Sequence, residues 1–535
     1  MRRLPYLILS CWLLACRQEK SELAADAGST AKTASSQAPI SKQVTTGPAP
    51  RESRTALVGL NGLGSQPPAL SEPHTGTRIY ARALRVTVYS EPNTSATKLG
   101  YLRAGASSLT HTEDVKKGNG CAGGWYPVEP VGFVCLDAKA TLDPNDPIVQ
   151  ATSKTPPDRF RKLPYIYGTV RKPGPFYARV PKREELAETE PGFEERLEAW
   201  LALKGEDGAS YGQALWHPGE TVVDPKVAWE KRLSDALPVF LNDHRGTPNI
   251  RNEPRYRDAL SLGVMPSRLG HGILQTFLSE GRRYALTTDL VIVPTDRLRP
   301  IRGSEFHGVV LGTDIDFPFG FVRSIKARFY VFTKASGLTA GADAPYRAAI
   351  KLSGKQQFFS GRLYYETLEG QWLSDQDFSR VEIAKRMPGW ATRGEKWIDV
   401  NVTKQLLVLY QGTNPVYATL ISSGEAGLDD PTNTTATPRG IFRIHTKHIS
   451  ATMSSDEVGE EFELRDVPYV QYFEKGYALH GAYWHDRFGM PKSHGCINLS
   501  PEDARRIFHW TEPGVPLGWH GTQSANTGTV IFVHP

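Results

Sequence analysis

The chain has 535 residues, 39% of them hydrophobic and 22% charged, with a formal net charge of +6. That length exceeds what one compact core organises and implies several domains, and so mild a positive balance reads as a well-solvated surface. No Lys/Arg block interleaved with aromatics occurs, so no nucleic-acid partner is expected.

Arg2 and Arg3 precede a short apolar stretch, Leu4 to Ala15. It suits a signal peptide better than a bilayer-spanning helix, which takes about 20 apolar residues. The stretch ends Leu13-Leu14-Ala15-Cys16, which resembles a bacterial lipobox. The resemblance implies a signal peptide over residues 1–16, lipidation of Cys16, and an exported protein anchored to a membrane and facing the periplasm. Arg17, where an inner-membrane retention signal would place Asp, favours the outer membrane. Residues 17–75 are rich in Ser, Thr, Ala and Pro and nearly free of aromatics, a composition that predicts a disordered linker.

From 76 to 145 short alternating runs are separated by turn signals, among them Arg85-Val86-Thr87-Val88-Tyr89, Gly124-Trp125-Tyr126 and Gly132-Phe133-Val134. Strands so short and evenly spaced indicate a small β-barrel, and their order resembles a bacterial SH3-like domain. Residues 160–390 are β-rich with a helical insertion, with amphipathic helices predicted around 194–203 and 226–236. Weak self-similarity there suggests further SH3-like modules. Such modules imply binding to the wall or to envelope protein partners.

The five cysteines are Cys11, Cys16, Cys121, Cys135 and Cys496. In an oxidising compartment spare thiols pair, and Cys121 and Cys135 flank a predicted hairpin, which makes them disulfide partners. Cys496 is left without a partner, as an intermolecular, inert or nucleophilic thiol.

Beyond residue 395 the runs Trp397-Ile398-Asp399-Val400-Asn401-Val402, Gln405-Leu406-Leu407-Val408-Leu409-Tyr410 and Pro415 to Ile421 predict an antiparallel sheet. Two further pieces carry chemistry: Ala478-Leu479-His480-Gly481 and Ser493-His494-Gly495-Cys496-Ile497-Asn498. A thiol needs a nearby imidazole or positive dipole to act as a nucleophile at neutral pH, so His480 and His494 are both candidate bases. Ser500-Pro501-Glu502-Asp503 is a strong helix start, with Ser as cap, Pro next and acids in the first turn. His480, His485, His494, Cys496 and His509 lack the tight spacing of a metal site, and no metal is expected.

These pieces, with Thr437-Pro438-Arg439-Gly440, occur in an order that resembles the L,D-transpeptidase (YkuD-type) catalytic domain across residues 395–535. The resemblance implies a mainly β chain ending in a β-sandwich-like catalytic domain. It makes Cys496 the nucleophile and His480 the proton donor and acceptor. The Gly481 carbonyl would orient that base, Gly495 would contribute to an oxyanion hole, and His494 and Ser493 would be supporting residues. Tyr469, Tyr483 and Asn498 are candidate substrate-binding residues; many members carry Arg where this chain has Asn498. The implied reaction is peptidoglycan crosslinking between stem peptides by a Cys thioester, without cofactor. The same site would equally serve an L,D-carboxypeptidase or an enzyme attaching proteins or D-amino acids to peptidoglycan. A reading of another class is a non-catalytic cell-wall-binding module.

Overall fold

The computed structural model describes residues 76–111, 115–201, 236–252, 259–267, 269–333, 337–455 and 462–535. The signal peptide, Cys16, the 17–75 linker and most of the helix expected around 226–236 lie outside the described residues. Strand makes up 43% and helix 11%, which is the mainly β class the sequence implies.

The first module contains β1 (Arg78–Ala81), β2 (Val86–Tyr89), β3 (Lys98–Leu102), β4 (Ser107–Leu109), β5 (Trp125–Pro127), β6 (Phe133–Cys135) and β7 (Ala140–Thr141). Alternate residues of β1 and β2 point inward, so Ile79 and Val88 meet Leu102 and Val134 in a core with no solvent exposure. A Cys121–Cys135 disulfide closes the β5–β6 region.

The middle region begins with β8 (Ile166–Val170), β9 (Gly174–Tyr177), β10 (Ser261–Met265), β11 (Gly270–Ser279), β12 (Arg282–Thr287), β13 (Ile292–Pro294) and β14 (Leu298–Ile301). The helix expected around 194–203 spans Phe193–Leu201. Next come β15 (Val309–Val310), β16 (Phe319–Val322), β17 (Arg328–Thr333), β18 (Gly337–Asp343), β19 (Ala349–Phe359), β20 (Arg362–Thr367), β21 (Trp372–Ser374) and β22 (Phe378–Val381). Strands β16–β22 form a sheet of their own.

The C-terminal region carries β23 (Lys396–Asn401), β24 (Leu406–Gln411), β25 (Asn414–Leu420), β26 (Gly440–Arg443), β27 (Thr446–Ser455), β28 (Phe462–Glu474), β29 (Tyr477–Gly481), β30 (Ile497–Leu499), β31 (Gly521–Gln523) and β32 (Val530–His534). One sheet runs β15-β25-β24-β23-β32-β26. Its strand β24 is buried on both faces, which explains a run of five apolar residues without alternation. The helix Pro501–Trp510 packs Ala504, Ile507 and Phe508 against β28 and β29, and begins as its sequence signals: Ser500 Oγ accepts from the Asp503 N–H at 3.1 Å.

The three regions are successive in sequence but not separate in space. β11 pairs with β28 at Gly270 and Leu464, and β3 pairs with β31 at Gly100–Thr522 and Tyr101–Gly521. The edges of a second C-terminal sheet, the one that holds β27, β28 and β31, would otherwise offer unpaired backbone groups and are covered by the other two regions. Asp466, 1% exposed, fastens the junction. Its carboxylate accepts from Arg103 Nη1, from Ser450 Oγ (2.8 Å) and from Thr288 Oγ1 (2.5 Å), one donor from each region.

Candidate active site

Strands β29 and β30 run side by side in parallel, with Leu479 opposite Ile497, His480 opposite Asn498 and Gly481 opposite Leu499. Extending that register by one residue sets Cys496 opposite Ala478. Paired and alternate strand residues share a face, so Cys496 lies diagonal to His480 on one side of the sheet. That placement brings the two sequence candidates into one site.

His480 is 2% exposed, and burial pushes its imidazole down to about 4. Its Nδ1 lies 3.5 Å from the Gly481 carbonyl oxygen, a long contact that favours the proton on Nδ1 and leaves Nε2 as acceptor. The Trp484 ring covers the imidazole at 5.7 Å between centroids. Cys496 is half-buried, and burial pushes its thiol up to about 11 against the opposing pull of the Ala478 N–H. Its Sγ also sits 3.9 Å from the Gly476 carbonyl. At neutral pH both groups are therefore uncharged in the resting structure.

The turn before Cys496 is built on Ser493, which is 5% exposed. Its Oγ accepts from the Gly495 N–H at 3.1 Å and donates to the Cys496 carbonyl at 2.5 Å. Gly495 has φ +112°, and a Cβ there would lie 2.5 Å from a Tyr477 ring carbon and 3.1 Å from the Ala436 carbonyl. Only glycine fits. The expectation that the Gly495 N–H serves an oxyanion hole is corrected here: that donor is engaged by Ser493 inside the turn. His494 is exposed, unlike the buried His480.

The three substrate-binding candidates fare differently. Tyr469 has no solvent exposure; its hydroxyl donates to the Arg161 carbonyl and its ring packs on Phe508 at 5.4 Å. It is a core residue with no surface for a substrate, because the period-2 pattern did not reveal which face of β28 it occupies. Tyr483, 3% exposed, donates to the Arg465 carbonyl at 3.2 Å and stands edge-on beneath Trp484 at 5.1 Å, a supporting position. Asn498 shares the face of His480 and Cys496. Its amide meets His485 Nε2 at 3.0 Å, and its Oδ1 is buried without a hydrogen-bond partner among the described residues.

Sequence reasoning missed Ala478, whose backbone N–H reaches the sulfur, and two tyrosines. Tyr477 lies against Gly495 and donates to the Pro431 carbonyl at 2.7 Å. Tyr472 opposes Ala478 across β28 and β29, which puts it in line with Cys496. No local motif marks any of the three; strand register alone brings them to the thiol.

Residues 395–525 match the family model of the YkuD L,D-transpeptidase catalytic domain. The chain thus carries a C-terminal domain of that class, and the match covers about a quarter of its length. YciB of Bacillus subtilis (strain 168), whose name marks it provisionally as an L,D-transpeptidase, is 30% identical over 138 residues. The alignment takes in 21% of this chain and spans 59% of that relative's length. Among solved structures, a cysteine-to-serine mutant of the Enterococcus faecium L,D-transpeptidase is similar at 25% identity over 26% of this chain and 50% of that one, with a TM-score of 0.20. An L,D-transpeptidase from Mycobacterium smegmatis is similar at 18% identity over 39% and 78% of the two chains, with a TM-score of 0.21.

Proposed function

We propose that this chain is a peptidoglycan L,D-transpeptidase that forms 3→3 crosslinks through a thioester on Cys496. The observation that carries the reading is the diagonal placement of Cys496 and buried His480 on one sheet face, inside the matched domain. The neutral thiol attacks the carbonyl joining the L-centre of a diamino acid to terminal D-Ala. As the S–C bond forms, the thiol proton passes to His480 Nε2. With the Gly495 N–H engaged, the Cys496 N–H is the loop donor assigned to the developing oxyanion. Collapse breaks the C–N bond, His480 gives its proton to the departing D-Ala amine, and the acyl group remains on sulfur. A side-chain amine of a second stem then attacks the thioester, loses its proton to His480 and releases the thiol. Gly481 and Ser493 hold the base and the nucleophile loop, His494 supports the loop from outside, and no step calls for a metal or organic cofactor.

The same reading takes the N-terminus as an export signal with a lipidated Cys16, a tether over 17–75, and a periplasm-facing anchor in the outer membrane. The 76–145 module, read as SH3-like, would hold wall or an envelope partner near the site. Incubation of the purified protein with tetrapeptide stems, followed by mass spectrometry, tests the activity. Crosslinked dimers are expected. Tripeptide alone would replace crosslinking by hydrolysis, and product that survives Cys496→Ala would remove Cys496 as the nucleophile.

A further inference from the structure

The loop that leaves His480, residues 482–489, lies between the catalytic domain and the β16–β22 sheet. The domain's own backbone holds its two ends: the Ala482 N–H donates to the Leu499 carbonyl at 2.9 Å and the Gly489 N–H to the Ile421 carbonyl at 2.8 Å. Between these ends Trp484 sets its ring 5.7 Å from the His480 imidazole, and His485 Nε2 meets the Asn498 amide at 3.0 Å. The next residue, Asp486, is tied from outside the domain. Its carboxylate accepts from Arg347 Nη1 and from Ser304 Oγ. Tyr346, beside Arg347, donates its hydroxyl to the Phe488 carbonyl at 2.8 Å.

Arg347 is itself firmly placed. It has φ +66°, a left-handed conformation uncommon for a residue with a side chain, and its N–H donates to the Val322 carbonyl at 2.8 Å. Backbone strain of this kind persists where the surroundings over-determine it, and it clusters at functional sites. The guanidinium lies 5.3 Å from the centre of the Phe306 ring, which stacks on Phe488 at 5.9 Å. Phe488 in turn lies 5.1 Å from the His485 ring. With Arg347 20% and Asp486 53% exposed, solvent partly screens the ion pair, so its role lies in geometry more than in stability.

The geometry it sets bears on the base. His480 is 2% exposed, although Asp486 and Arg487 on the same loop are open to solvent. Trp484 covers the imidazole, and it stands two residues from the Arg347 tie. Around that imidazole are His485 on the loop, Cys496 diagonal across the strands and Tyr472 on β28. A loop released at Asp486 lets Trp484 move off and water reach the ring.

We propose that Arg347 is a positioning residue for the base: by holding Asp486 it keeps Trp484 over His480, so that a part of the fold outside the catalytic domain tunes the chemistry within it. The assignment rests on the transpeptidase reading for the role of His480.

The test uses the full chain with Arg347→Ala, Arg347→Lys, Asp486→Ala and the double variant Arg347→Ala/Asp486→Ala. Ring signals of isotope-labelled histidine, with His480 identified by the signal lost in His480→Gln, report its protonation between pH 8 and 5. Acylation of Cys496 by a tetrapeptide stem, read by intact mass, gives kcat and KM over the same range. In the unsubstituted protein His480 should stay neutral throughout, because burial holds it at about 4. Arg347→Ala should bring a midpoint of about 6 into view, close to that of an ordinary histidine. Such a midpoint leaves about a quarter of the base neutral at pH 5.5, so kcat should fall about fourfold more there than at pH 8, with KM little changed. Arg347→Lys should recover part of the loss. Asp486→Ala should match Arg347→Ala, and the double variant should add nothing further. Where Arg347→Ala fails to fold, Asp486→Ala at the exposed end of the pair carries the same comparison. A folded variant whose His480 stays neutral down to pH 5, or losses that simply add in the double variant, overturns the Arg347 assignment and leaves the transpeptidase reading standing. Absence of acylation in the unsubstituted protein overturns that reading and this assignment with it.

Discussion

Alkylation of Cys496 by a small neutral reagent, followed as a function of pH, separates two ways in which a cysteine and a histidine can share a proton. In one, a thiolate and an imidazolium stand ready before substrate arrives. In the other, both groups rest neutral and the proton moves only during attack. The structure supports the second. Burial pushes the Cys496 thiol up to about 11 and the His480 imidazole down to about 4. At pH 7 a thiol with that value is ionised to about one part in 10⁴, whereas an unperturbed cysteine near 8.5 is about 3% thiolate. Alkylation at Cys496 should therefore run about 300-fold slower than at an ordinary exposed thiol. It should climb tenfold per pH unit above 7 and bend only near 11.

Acylation by peptide follows a different profile, because His480 needs to be neutral and the thiol needs no standing charge. Its rate should rise as pH passes the imidazole value near 4 and remain level through neutrality. His480→Ala should lower peptide acylation by about 10²- to 10⁴-fold, the usual reach of general-base catalysis, while leaving the alkylation profile nearly unchanged. Intact mass with peptide mapping at Cys496 reads both reactions, with Cys496→Ser as the blank. An alkylation rate that bends below pH 7, or that falls with His480→Ala in step with acylation, would refute the neutral-pair reasoning.

Gly495→Ala forces a Cβ against Tyr477 and the Ala436 carbonyl at a positive φ; a loss of about 2–4 kcal/mol in urea unfolding, or near-complete loss of acylation in a folded protein, is expected. Asp466→Ala leaves the partly buried Arg103 without its anion and should cost about 3 kcal/mol; a change below 1 kcal/mol would deny it a fastening role. Acid should destabilise the fold, since His271 and His448, both pushed down to about 3 by burial, and His480 at about 4 stay neutral where the unfolded chain is already charged. Each contributes stability that is full above pH 6.5 and lost as pH falls towards 4, on the order of 3 kcal/mol apiece; thermal unfolding between pH 7 and 4.5 checks this, and a flat Tm would contradict it.

The parts of the site legible in sequence are those whose constraints are local. Gly495 before Cys496, Ser493 two residues further back, and the Ser500-Pro501 helix start each act within a few residues, so their pattern survives as a motif. The Cys121–Cys135 pairing was legible for the same reason, a short hairpin loop between the partners. The misjudged residues depend on register instead. Val470 and Tyr472 face the site, while Tyr469, Gln471 and Phe473 do not expose themselves to it, yet all five are large and lie in one strand. Hydrophobic alternation cannot choose a face where both faces of β28 are covered. The Gly495 donor was misjudged for a related reason: the motif fixes a turn, and only the folded loop shows that Ser493 Oγ receives that N–H.

The joining of the N-terminal module to the catalytic sheet lies beyond any local signal, because Tyr101 and Gly521 are more than four hundred residues apart in sequence. Its physical logic follows from β28. That strand carries Asp466 near its start and Tyr472 near its end, six residues or about 20 Å on. Arg103 of the module grips the first, and Tyr101 of the module reaches the second through the intervening ring of His448. A strand held at both ends by the same module cannot shift its register without exposing Asp466 unpaired or moving Tyr472 away from Ala478. The same contacts that cover a sheet edge therefore fix the wall of the thiol's site, which is why a module that reads in sequence as an appended bead is, in the fold, a structural condition for the placement of Cys496.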